Sequence, residues 1–79
     1  MKGQWDRDEV MIALLNSIDT ICEEKNFTHG AFALYAGISK DRLARYFMLK
    51  ALPNTEALVK ISLAYNVSID WLLGLSDKR

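Results

Sequence analysis

The sequence predicts an all-α fold, a bundle of five short helices, and three observations predict it. Apolar residues recur at three- and four-residue spacing, which places them on one face of a helix. Residues that cap helix starts (Asp6, Thr28, Ser39, Asn54 and Ser68) precede these stretches, and residues that stop helices (Asn26, Gly37, Pro53, Asn66 and Gly74) follow them. No segment alternates apolar and polar residues between turn signals, so strands have no support.

The first helix opens at Asp6, whose spacing from Glu9 makes a capping box, with Trp5 and Val10 at the two positions of a hydrophobic staple. Its apolar face is Met11, Leu14, Leu15, Ile18, Ile21 and Cys22, and it runs to Lys25 with Asn26 as its stop. Thr28 caps a second helix that reaches Ala36, and Gly37 suits the left-handed position that ends it. Ser39 caps a third, with Lys40, Arg42 and Arg45 on its polar side and Leu43, Tyr46 and Phe47 on the other. Pro53 stops what precedes it, and Asn54 caps a fourth helix carrying Leu58, Ile61, Ser62, Ala64 and Tyr65 at helical intervals. Asn66 ends that helix, Ser68 caps a short fifth through Ile69, Trp71 and Leu72, and Gly74 closes it.

The chain has 79 residues, enough for one domain spanning residues 1–79 and one core, with little room for a deep substrate cleft as well. A recognition module is therefore expected rather than an enzyme, and neither paired carboxylates nor a glycine-rich phosphate loop argues otherwise. Cys22 is the one cysteine, so no intramolecular disulfide can form, and its place on an apolar helix face makes it a small core residue. His29 is the one histidine and has no second ligand candidate nearby, so no metal or cofactor is expected. Trp5 and Trp71 read as packing residues. No apolar run approaches the ~18 residues of a membrane span, and the start is too charged for a signal peptide, so a cytoplasmic protein without membrane contact is expected.

Formal net charge is zero with a pI near 6.5, low for a nucleic-acid binder, yet the charge is unevenly placed. Residues 1–27 hold three basic and six acidic side chains, residues 28–50 four basic and one acidic, and residues 51–79 three of each. The positive charge is concentrated mid-chain, where a helix, a short glycine-containing turn and a second helix succeed one another over residues 28–48. Ala33 is small where the two helices must approach, Gly37 permits the turn, and Ile38 and Leu43 plug the angle between them.

This segment, followed by Pro53-Asn54-Thr55, Leu58 and Asn66-Val67-Ser68-Ile69-Asp70-Trp71-Leu72-Leu73-Gly74, resembles the Cro and CI repressor family of helix-turn-helix domains, also called the xenobiotic-response-element type. The resemblance covers roughly residues 14–74 and implies a lambda-repressor-like five-helix DNA-binding domain, here with an extended first helix. It implies that the third helix reads DNA, with base-reading positions at Lys40, Asp41 and Arg45 and backbone contacts from Ser39 and Arg42. The helix-two phosphate position falls on His29, and Lys50 falls where the family's loop binds phosphate. The chemistry agrees: Lys and Arg donate to guanine O6 and N7, Asp accepts from cytosine N4, and Ser donates to phosphate.

Three departures stand out. Family members often pair an Arg in helix one with a Glu ending helix three, and those positions are Cys22 and Phe47; losing both charges together avoids an uncompensated buried charge. The Glu-x-Gly turn after helix three is Phe47-Met48-Leu49, which removes the glycine and leaves Met48, Leu49 and Leu52 beside the DNA-facing loop. Ala31, Leu34 and Tyr35 stand where the family places mostly charged residues; either they form an exposed apolar patch or the long first helix or a rearranged loop covers them. Two functions follow. One is a sequence-specific transcriptional regulator acting on double-stranded DNA as a homodimer, and the other is an interaction module that keeps the fold and binds a protein partner through Leu34, Tyr35, Met48 and Leu49.

Overall fold

The structure is a computed structural model that describes residues 6–79, so Trp5 and its expected staple against Val10 lie outside the described residues. Five helices follow one another: α1 (Arg7–Lys25), α2 (His29–Ala36), α3 (Lys40–Phe47), α4 (Thr55–Tyr65) and α5 (Ile69–Leu72). There is no strand among the described residues, and the all-helical bundle expected from the sequence is the one observed.

Each helix starts on the side chain the sequence indicates. Asp6 accepts from the amides of Asp8 and Glu9, Thr28 from Ala31, Ser39 from Arg42, Asn54 from Ala57 and Ser68 from Trp71. Each bond satisfies one of the amides that a helix start leaves without an internal partner. The ends are equally uniform. A left-handed residue follows every helix, namely Asn26, Gly37, Leu49, Asn66 and Gly74. The amide after each of them closes back across the last turn, from Phe27 to Cys22 O, Ile38 to Ala33 O, Lys50 to Arg45 O, Val67 to Ser62 O and Leu75 to Asp70 O. Pro53 is therefore not what ends α3. It lies in the linker before Asn54, and the stop is Leu49.

The apolar face of α1 supplies Met11, Leu14, Ile18, Ile21 and Cys22 to a single core, joined by Phe32, Ala33, Leu43, Tyr46, Ile61, Tyr65 and Leu72 from the other helices. Leu14, Ile18, Ile61 and Leu72 are each fully removed from water, which contributes about 1.5–3 kcal/mol apiece. Exposed ion pairs contribute about 0–1 kcal/mol, so the core rather than surface charge holds the bundle. Between α2 and α4, the Phe32 and Tyr65 rings stack at 4.6 Å and the Tyr65 hydroxyl donates to Phe32 O at 2.8 Å. Burial pushes that phenol up to about 12, helped by Cys22 and Tyr35.

α5 is locked against α1. The Ser17 hydroxyl donates to Leu72 O at 3.1 Å, and a Cβ placed on Gly74 would come within 2.8 Å of the Ala13 methyl. The segment after α5 folds back, so that the Arg79 guanidinium grips the Glu24 carboxylate at 2.7 and 2.6 Å and lies 4.5 Å above the Trp71 ring. No helix of the described residues is long and apolar enough to cross a membrane.

Candidate nucleic-acid interface

The angle between α2 and α3 is set by small and apolar residues. Gly37 turns the chain at φ 81°, a conformation that costs a side-chain-bearing residue about 1–2 kcal/mol. Ala33 and Leu43 are buried at the crossing, and Ile38 packs against the same core. With Leu43 and Tyr46 turned inward, the opposite side of α3 faces solvent, and Ser39, Lys40, Asp41, Arg42 and Arg45 are all exposed.

Those side chains do not form a single ridge, as their grouping on one polar side implies. Residues two apart on a helix point to well-separated directions, so Lys40 and Arg42 lie on different flanks, about 200° apart across the outward arc that holds Asp41 and Arg45. Lys40 leans toward α2, where its Cε would lie 3.6 Å from a Cβ built on Gly30. Arg42 leans toward α4 and lines a concavity of about 390 Å³ together with Ser39, Asp41, Arg45, Tyr46, Ala51, Leu52 and Asn54. The outward centre of α3 thus offers a carboxylate and a guanidinium at the spacing of one helical turn, flanked by a cation on each side. That arrangement can donate to guanine and accept from cytosine while the flanks meet phosphate.

His29 is half exposed at the start of α2, but it is engaged. Its Nε2–H donates to the Asp19 carboxylate at 3.0 Å and its ring stacks on Phe47 at 4.2 Å. The chain Asp19–His29–Phe47 ties α1, α2 and α3 together. Phe47, which stands where the resemblance leads one to expect a carboxylate, thus stacks on His29, and Cys22 is buried, with burial pushing its thiol up.

The turn after α3 survives without its glycine. Leu49 adopts φ 58°, its amide bonds to Tyr46 O and that of Lys50 to Arg45 O. Two features offset the strain: the Leu49 side chain packs against the core, and Arg7 Nη2 donates to Leu49 O at 3.1 Å. Leu49 therefore does not belong to an exposed apolar patch. Lys50 is exposed beside it, as is Met48. On α2, Leu34 and Tyr35 are 83% and 63% exposed, so neither the first helix nor a loop covers them.

Sequence reasoning missed Asp19 as the partner of His29, ten positions away, and it missed that Tyr46 and Asn54 line one concavity with Arg42. Tyr46 lies one turn after Arg42 on the same helix, whereas the proximity of Asn54 depends on how residues 48–54 fold back. The burial that raises the Tyr46 phenol is partly opposed by the nearby positive charge of Arg42. Among the described residues no group of acidic, histidine or cysteine side chains is arranged to hold a metal ion.

Neither a curated protein nor a solved structure matches the chain. A family model described as helix-turn-helix matches residues 18–72, which takes in the end of α1, the whole α2–turn–α3 unit, α4 and α5. The crossing at Ala33 and Leu43, the exposed outer side of α3 and this match converge, and the chain belongs to the Cro/CI-type helix-turn-helix family of DNA-binding domains.

Proposed function

We propose that the chain is a sequence-specific DNA-binding transcriptional regulator that reads the major groove with α3 and binds as a homodimer. The observation that carries this reading is the exposed outer side of α3, where Asp41 and Arg45 are flanked by Lys40 and Arg42 in the one stretch of sequence with a clear excess of positive charge. Ser39, Lys50 and His29 stand where they can meet the sugar-phosphate backbone, His29 by exchanging Asp19 for a phosphate. A single short reading helix touches few base pairs, and two-fold pairing supplies a second half-site about one DNA turn away.

A second reading, an interaction module that binds a protein partner through Leu34 and Tyr35, is favoured by the exposure of those two side chains on α2. An electrophoretic shift with random-sequence and genomic-fragment duplexes separates the two. Binding at ~50 mM salt that weakens steeply as salt rises supports the regulator, because phosphate neutralisation releases counterions. Absence of any complex at that salt favours the interaction module.

A further inference from the structure

Among the described residues, Leu49 is the one left-handed position that is neither glycine nor asparagine, and its carbonyl is held from far away in sequence. Arg7 Nη2 donates to Leu49 O at 3.1 Å across 42 positions, while Arg7 Nη1 donates to Asp8 Oδ1 at 3.3 Å. Arg7 sits on the first turn of α1, ahead of the residues 18–72 that the family model matches.

Gripping that oxygen also orients Lys50. A trans peptide is planar, with its carbonyl and amide pointing in opposite directions, so Leu49 O and the Lys50 N–H are the two ends of one rigid plate. Both ends are held: Arg7 takes the oxygen from α1, and the Lys50 amide donates to Arg45 O on α3 at 2.9 Å. Leucine is strained at φ 58°, so a plate held at the amide end alone is drawn back toward the right-handed region. The Leu49 side chain, packed against the core, anchors its own Cα but leaves the following peptide free to rotate about ψ. The bond from Arg7 removes that rotation and fixes where the exposed Lys50 side chain starts relative to Arg45.

We propose that Arg7 is a positioning residue for DNA binding, which by holding Leu49 O keeps Lys50 in register with Arg45 on the reading helix. This rests on the DNA-binding reading above and adds the start of α1 to it, with Arg7 itself touching no nucleic acid.

Arg7→Met removes the donors and keeps much of the side chain's reach, whereas Arg7→Lys keeps a charged donor. In the free protein, hydrogen exchange at the Lys50 amide should quicken at least about threefold in Arg7→Met, beyond any change at the core amides of Ile18 and Ile61, which report global opening. Affinity for duplex DNA should fall about three- to fivefold in Arg7→Met, alike on random and selected sequences, and most of it should return in Arg7→Lys. The double variant is decisive. Arg7→Met combined with Lys50→Ala should bind no more weakly than Lys50→Ala alone, because one residue acts through the other. Losses that multiply overturn the proposal, by showing that Arg7 acts through its own charge, and leave the regulator reading standing. Native affinity in Arg7→Met, or unchanged exchange at Lys50, overturns it as well. If the native chain binds no duplex at ~50 mM salt, the positioning role falls together with the regulator reading, and faster exchange at Lys50 then marks a structural clamp only.

Discussion

In the proposed reading, individual side chains around α3 divide the work of recognition by position on the helix. Arg45 stands at the outward centre with Asp41, four residues before it, whereas Lys50 lies past the left-handed turn at Leu49. Arg45→Ala should therefore weaken binding to a selected site by roughly 1–3 kcal/mol and relax preference at one base position, while Lys50→Ala should weaken all sequences alike. Titration of both variants against selected and random duplexes checks this, and equal losses for Arg45→Ala on the two would remove its base-reading role. Residue types and helix caps were legible in the sequence because they act over three or four positions. The flank each cation takes was legible only through helical geometry, and the engagement of His29 by Asp19 was not, since it depends on how α1 packs beside α2.

Helices in this chain are delimited by a repeated device, a side-chain cap at the start and a left-handed residue after the end. Four of the five left-handed residues are glycine or asparagine, the types that tolerate this conformation, and their helix ends could be read directly. Leu49 is the exception, and the sequence accordingly reads as if the turn were lost. Its strain of about 1–2 kcal/mol is offset by burial of its side chain and by the bond from Arg7, neither of which is a local signal. The consequence is an inverted substitution order. Leu49→Ala loses packing and keeps the strain, whereas Leu49→Gly loses packing and relieves it, so the glycine variant should be the more stable by about 1 kcal/mol, opposite to the order in a helix interior. Urea melts of the two variants measure the difference, and an alanine variant equal to or above the glycine variant would show that no strain is stored there.

Across the whole molecule, the acidic start and the basic middle of the sequence fold into one bundle that keeps Lys40, Arg42, Arg45 and Lys50 exposed on and just after α3. Far along the sequence, the Arg79 grip on Glu24 joins the segment after α5 to the last turn of α1. The hydrogen bonds from Arg79 hold the Glu24 carboxyl below its ordinary value. A carboxylate lowered on folding adds stability above its unfolded value, and that contribution disappears as pH falls through the folded value. The gap in melting temperature between the native chain and Glu24→Gln should thus be open at neutral pH and close on the acid side of the ordinary carboxylate range; a gap that does not change with pH would mean that the pair contributes no charge-dependent stability. This long-range clasp left no trace in the sequence, because nothing local links positions 24 and 79. The five-helix architecture and the outward side of α3 were legible there, since periodicity and caps fix both.

The central claim is that α3 is the surface that meets DNA, and amide chemical-shift mapping with a duplex selected from a random pool tests it most directly. The account predicts that the largest perturbations fall on residues 39–45 and on Lys50. Perturbations centred on Leu34, Tyr35 and the exposed side of α4, with α3 unmoved, would contradict it.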